Sequence, residues 1–248
     1  MFEATMATTS VWKRCMDAIS TLIDEGTFTA RPDKIRFRSI DPARISLVDF
    51  QLGRDAFDTY NLDAPKNIAV NLEDMNKMLR RARPGDRLKI SVDEQANRLI
   101  ITLEGPNVTT FSIPLLDLAL DETPERPIRF TATIRIMSSV LDEALKSVAI
   151  VGDHVLVRAT PDYFRLETES GVESINVRMS SQSEGIAHME VRKESKATYI
   201  ISYIQNMLRA AEPTDIVELE FGDDLPLRVA VPLEAGQISF LLAPRVQE

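Results

Sequence analysis

Residues 77–86, Lys-Met-Leu-Arg-Arg-Ala-Arg-Pro-Gly-Asp, stand 129 positions ahead of residues 206–215, Asn-Met-Leu-Arg-Ala-Ala-Glu-Pro-Thr-Asp, and six of the ten positions match without a gap. The same spacing sets Ala30-Arg31-Pro32-Asp33 over Ala159-Thr160-Pro161-Asp162, Ser10-Val11 over Ser139-Val140 and Phe111 over Phe240, and it brings Leu47-Val48 near Asn176-Val177. A register held from one end to the other means two copies of one unit. The period far exceeds the roughly 20 to 50 residues of solenoids and propellers, so each copy needs a core of its own.

Four segments carry a helical period, and most of the rest alternates in short strand-like runs. Helices are expected at Ser10–Ile23, with Ser10 as N-cap, at Leu72–Arg83, ended by Pro84-Gly85, at Ser138–Val148 and at Lys196–Ala211. Each has one apolar face. Runs such as Leu88-Lys89-Ile90-Ser91-Val92 and Val217-Glu218-Leu219-Glu220-Phe221 supply sheet surface to receive those faces. Two helices against an antiparallel sheet in each copy is an α+β solution. Asp121-Glu122-Thr123-Pro124-Glu125-Arg126-Pro127 reads as a polar connector. The expected division is an N-terminal domain over 1–116, a connector over 117–127 and a C-terminal domain over 128–248.

At 248 residues, 44% apolar and 27% charged, the chain has ordinary globular usage and no apolar run approaching the roughly 18 residues of a membrane span. Met1-Phe2-Glu3-Ala4-Thr5 has neither a basic start nor an apolar signal stretch, so a cytoplasmic protein is expected. Cys15, the one cysteine, lies among apolar helix positions and reads as a buried structural thiol.

No spacing assembles a catalytic or metal site. One cysteine with two histidines, His154 and His188, falls short of a zinc cluster. Gly222-Asp223-Asp224, between two alternating strands, is a hairpin turn before it is a metal ligand set. Neither GxGxxG nor GxxxxGK[ST] occurs, and no cofactor is implied.

The net charge of −9 argues against a nucleic-acid binder when taken as a sum. Its distribution argues otherwise. Lys13, Arg14, Lys77, Arg80, Arg81, Arg83, Lys146 and Arg209 lie on or beside the outward helix faces, while acidic residues crowd the loops. For any one helix a plain solvated face is the simpler reading. Four equivalent helices on one side of a sheet would instead form a single surface, basic in the first copy and mostly neutral in the second.

Met1-Phe2-Glu3-Ala4, the segment Phe37-Arg38-Ser39-Ile40-Asp41-Pro42-Ala43-Arg44-Ile45-Ser46-Leu47-Val48 and the closing Phe240-Leu241-Leu242-Ala243-Pro244-Arg245-Val246 resemble the sliding clamps of the proliferating cell nuclear antigen (PCNA) family, in its archaeal branch. The resemblance covers the whole chain. It implies the DNA-clamp fold, with copies assembled head to tail into a closed homotrimeric ring. Double-stranded DNA would pass through the hole without regard to sequence, meeting the eight cations named above at its phosphates, while an acidic exterior repels other DNA. It implies localisation with the nucleoid in the cytoplasm and no catalysis. DNA polymerase, clamp loader, flap endonuclease and DNA ligase are the implied partners, each docking a short glutamine-and-aromatic peptide.

Carried over residue by residue, the peptide pocket comprises Ile40, Ile45, Leu47, Pro226 and Leu241, with Arg44 on the rim, Leu118 and Leu120 from the connector, and the backbone of Ala243 and Pro244. The subunit edges fall at about Asn107–Ile113 and Gly171–Met179, through Val108, Thr110, Phe111, Ile113, Ile175, Val177 and Met179. Two other readings stand beside the clamp. One is a protein-interaction scaffold that never encircles DNA; the other is an enzyme on a duplicated α+β scaffold.

Overall fold

The structure is a computed structural model that describes residues 1–119 and 127–245. In the first half β1 (Phe2–Met6) leads into α1 (Ser10–Ile19), then β2 (Glu25–Ala30), β3 (Lys34–Ile40), β4 (Ser46–Gly53), β5 (Thr59–Leu62) and β6 (Lys66–Asn71). Next come α2 (Leu72–Leu79), β7 (Arg87–Asp93), β8 (Arg98–Glu104) and β9 (Val108–Pro114). The second half repeats this order with β10 (Ala132–Met137), α3 (Ser138–Val148), β11 (His154–Ala159), β12 (Tyr163–Ser170), β13 (Glu173–Ser180) and β14 (Ile186–Val191). It ends with β15 (Ser195–Ile200), α4 (Ile201–Leu208), β16 (Ile216–Phe221), β17 (Leu227–Leu233) and β18 (Gly236–Leu242).

The sequence period reappears as strand register. Phe28 pairs with Phe37 and with Ile68, and 129 residues later Val157 pairs with Leu166 and with Ala197. Two identical pairings at one offset mean that β11, β12 and β15 repeat β2, β3 and β6 residue for residue.

Two compact units result. The first holds Met1–Pro42, Val48–Thr123 and Leu233–Ile238; the second holds Ala43–Leu47, Pro124–Pro232 and Ser239–Glu248. In the first, one sheet runs β5-β1-β7-β8-β9 and another group runs β3-β2-β6. Trp12 of α1 stacks on Phe28 at 5.6 Å and meets Phe50 edge-on at 5.6 Å, so an aromatic cluster seats the helix on its strands. Cys15 is fully buried beside them, and burial pushes its thiol up to about 12, so it stays protonated and inert.

In the second unit the groups are β14-β10-β16-β17 and β13-β12-β11-β15. Phe164 and Phe221 lie 6.5 Å apart between them, and the buried Tyr199 hydroxyl donates to Leu225 O at 2.6 Å. The strands β4 and β18 run side by side. Gly53 N donates to Ala235 O at 2.8 Å within the first unit, and Ala243 N donates to Ile45 O at 2.8 Å within the second.

The fourth helix is shorter than its periodicity suggests. Lys196–Ile200 alternates exposed and buried and pairs with β11 as a strand, and the helix starts only at Ile201. This segment satisfies both periods. The first half decides between them, because Lys66–Asn71 is a strand ahead of Leu72 at the same offset. The first two helices likewise end at Ile19 and Leu79, and Thr9 rather than Ser10 takes the cap position of α1. Asn71 caps α2, its side chain accepting from Asp74 N at 2.9 Å.

Gly222-Asp223-Asp224 is the expected turn, with Asp224 in the left-handed region at φ 51°. Among the described residues, no group of three or more His, Cys, Asp or Glu is placed to hold a metal ion.

Candidate nucleic-acid and partner surfaces

Helices α1 and α2 pack side by side because one face of each is apolar, which leaves their cations on the other. Lys77, Arg80, Arg81 and Arg83 are exposed, whereas Lys13 and Arg14 are half-buried. Lys13 Nζ donates to Ala82 O at 3.0 Å, tying α1 to the segment after α2. A polar bridge missing from the sequence reading does the same one turn along. Buried Asn76 donates to Asp17 Oδ1 at 3.1 Å and to Ser20 Oγ at 2.8 Å, and Arg80 Nη2 reaches the same Asp17 oxygen at 2.8 Å. No spacing rule links residues 17 and 76; only the helix pairing brings them together.

Several of the cations carry carboxylate partners. Lys77 sits 3.1 Å from Glu73 and 3.4 Å from Asp74, and its hydrogen bond to Glu73 leads the causes that hold its ammonium above the ordinary lysine value. In the second unit Lys146 sits 2.6 Å from Asp142, and that bond raises it likewise. Arg209, at the C-terminal cap of α4, is exposed. These pairs are solvent-facing and easily exchanged, so a polyanion can replace the carboxylates with its own oxygens. The first unit sets six cations against Asp17, Glu73 and Asp74, whereas the second sets Lys146 and Arg209 against Asp142 and Glu143. The cationic field therefore belongs to the first unit.

The expected pocket residues separate along the chain. Arg44, Ile45, Leu47, Pro226, Leu241, Ala243 and Pro244 all belong to the second unit, Ile40 and Leu118 to the first, and Leu120 lies outside the described residues. Strand alternation leaves Leu47 and Leu241 on the face away from the core. Ser46, Val48, Phe240 and Leu242 are buried, while the intervening Leu47 and Leu241 are only half-buried and point to the opposite face. The bond from Ala243 to Ile45 fixes the register, so Leu47 lies directly opposite Leu241. Arg44 at the strand entrance has φ 58°, a left-handed conformation that turns the preceding loop into β4.

The expected subunit edges coincide with edge strands. β9 ends the five-stranded sheet and β13 ends the four-stranded one. Ile113 and Met179 are buried, Phe111, Ile175 and Val177 half-buried, and Val108 and Thr110 exposed.

Residues 1–123 match the family model for the proliferating cell nuclear antigen N-terminal domain, and residues 124–246 match that for its C-terminal domain. A DNA polymerase sliding clamp of Pyrococcus furiosus is 31% identical over 248 residues, covering 100% of this chain and 99% of its own. One of Thermococcus gammatolerans is 34% identical over 232 residues, covering 92% of each. The crystal structure of PCNA from Thermococcus kodakaraensis superposes with a TM-score of 0.95 at 28% identity, over 99% of this chain and 100% of that one. With both of its halves matched and the fold reproduced along its length, this chain belongs to the proliferating cell nuclear antigen family.

Proposed function

We infer that this chain is a DNA sliding clamp, a non-catalytic processivity factor that encircles duplex DNA and tethers a DNA polymerase. The finer reading is a homotrimeric ring with α1–α4 of each copy turned toward the DNA. Lys77, Arg80, Arg81, Lys146 and Arg209 meet phosphates there, with the half-buried Lys13 and Arg14 behind them. Contacts to phosphate carry no sequence information, which suits a ring that must slide over any duplex.

The observation that carries the ring is an asymmetry of edges. β4 and β18 run together within the chain, while their counterparts β13 and β9 each end a sheet. Unpaired edges template association, and pairing β9 of one copy with β13 of the next closes them. Polymerase, clamp loader, flap endonuclease and ligase dock glutamine-and-aromatic peptides on the exposed face of β4 and β18, where Leu47 and Leu241 stand opposite one another.

Light scattering on the purified chain should give three times 27.8 kDa. A dimer would sink the ring. On nicked circular DNA the loaded clamp should persist and slide off once the circle is cut. Reversing the charge at Lys77, Arg80, Lys146 and Arg209 together should abolish polymerase stimulation; unchanged stimulation would leave a scaffold that does not encircle DNA.

A further inference from the structure

Four cations stand in line across one sheet of the second unit. Arg158 of β11 pairs with Arg165 of β12 and with Lys196 of β15, and Arg165 pairs in turn with Arg178 of β13. Residues paired in this way share a face. Their chain neighbours Val157, Ala159, Phe164, Leu166, Met179 and Ala197 are buried, so the row lies on the face turned away from the core and from α3. The first unit has no such row. Its counterpart reads Arg36, Thr29 and Asn67, and the one cation among them donates to Asp49.

Like charges directly opposite one another destabilise a sheet, and this ladder sets three such pairs end to end. Carboxylates relieve only its middle. Arg165 sits 3.0 Å from Glu167, and Arg158 lies 3.7 Å from Glu167 and 3.4 Å from Glu194. Even so, the Nε atoms of both arginines are buried with no hydrogen-bond partner among the described residues. Arg178 and Lys196, exposed at the two ends, have no carboxylate within ion-pairing distance among the described residues. Arg178 is instead laid over the Tyr163 ring at 4.3 Å from its centroid, and Arg165 approaches the same ring at 5.6 Å. A stacked guanidinium keeps its N–H edge free for an anion.

We propose that this row binds an acidic peptide segment of a partner protein, lying extended across β13, β12, β11 and β15 with alternate carboxylates on the cations. The inference goes beyond the clamp reading and does not depend on ring closure. Three strand spacings of about 4.8 Å make the row about 14 Å long, and an extended segment with acidic first, third and fifth residues spreads its outer carboxylates over about 14 Å. The lengths match. Guanidinium forks take a carboxylate two bonds at a time, which is how arginine clusters recognise acidic motifs.

The surroundings select a short segment over a nucleic acid. Glu167 and Glu169 hold the next outward positions of β12, and Glu194 precedes β15 on the other flank, so the cationic strip is one residue wide. At one end Asp224 N donates to Lys196 O at 3.0 Å, which brings the exposed Asp223 and Asp224 against the last cation. A continuous phosphate chain would run onto these carboxylates. A segment of about five residues stops before them.

Calorimetric titration of the full-length chain at low salt tests this, with a capped Glu-Thr-Glu-Thr-Glu peptide, its Gln-Thr-Gln-Thr-Gln counterpart and a short oligothymidylate as probes. The acidic peptide should bind and the amide peptide should not. Arg178→Gln with Lys196→Gln, both exposed and so compatible with folding, should weaken the acidic peptide roughly tenfold while leaving the melting temperature and the oligothymidylate affinity unchanged. Lys77→Ala with Arg80→Ala should leave the acidic peptide unaffected. Equal affinity for the two peptides, or no binding of either, overturns the proposal. So does a peptide lost with Lys77 and Arg80 but kept without Arg178 and Lys196, which places it on the helices. A larger loss for the oligothymidylate than for the peptide in the Arg178 and Lys196 variant makes the occupant a nucleic acid and overturns it as well.

Discussion

Phe240 and Phe111 occupy equivalent places in the two halves, and only Phe240 is buried. The same holds for Met207 against Met78. A duplicated fold whose second copy buries what its first copy leaves half-open presents apolar surface in the first. Phe240→Ala should therefore cost about 3 to 5 kcal/mol of folding stability and lower the melting temperature of the chain. Phe111→Ala should leave folding of the separated chain nearly intact and act on assembly. Thermal melts paired with light scattering check this, and equal losses of folding stability from both would break the comparison.

The junction strands sharpen the contrast. Leu47 and Leu241 face outward where β4 meets β18. Their counterparts are Ser112, which stands 129 residues before Leu241, and Ser174, which stands 127 after Leu47 because Arg54 faces Asp33 while position 181 faces Asp162 across a turn two residues shorter. Burying an aromatic anchor on the leucines contributes about 1.5 to 3 kcal/mol. Leu241→Ala should weaken a glutamine-and-aromatic peptide roughly tenfold or more by calorimetric titration. Ser112→Ala should not, and equal affinities for wild type and Leu241→Ala would put the peptide elsewhere.

Asp49 tests the exterior of the first half. It accepts from Arg36 Nε at 2.9 Å and from Arg38, whereas the corresponding position in β13 is Asn176. Burial pushes the Asp49 carboxyl up, but the two guanidiniums outweigh it and hold the group below the usual carboxylate range. A depressed carboxylate stabilises the fold fully above its unfolded value and loses that contribution as pH falls through the lowered one. Asp49→Asn should cost about 1 to 3 kcal/mol near neutral pH. Denaturant melts of variant and wild type should converge in acid; a gap that is constant with pH would refute the assignment.

The smallest effects belong to the helices. Each phosphate contact contributes about 0.9 to the salt dependence of DNA binding. Lys77→Ala with Arg80→Ala should reduce the logarithmic salt slope by about 2. Asp142→Ala should strengthen DNA binding slightly by releasing Lys146. If Lys146→Ala with Arg209→Ala lowers the slope more than the first pair, the cationic field has been given to the wrong half.

The repeat and the α+β class are legible from residues alone, because each depends on a period in the sequence, whereas Leu241 sits in the unbroken apolar run Phe240-Leu241-Leu242 and enters only through the family resemblance. The start of α4 is not legible either: Lys196–Ile200 reads equally as helix or strand, and pairing with β11 settles it. The sequence alignment of Val48 with Val177 is two residues out. Val48 corresponds to Ile175, since a shorter turn shifts β13 while later strands return to the old spacing. The partnership of Asp17 with Asn76 and Arg80 depends on two helices meeting, which no local pattern encodes.

The loop between β3 and β4 has a consequence for stoichiometry. An unaltered duplication would place a docking site at every junction, six to a ring of three chains. The longer loop at residues 41–45, which carries Arg44 and Ile45, and the exchange of leucine for serine at the other junction would leave three in the proposed ring. In the proposed ring, alternate junctions would then serve either cohesion or recruitment, with neighbouring clients two repeats apart.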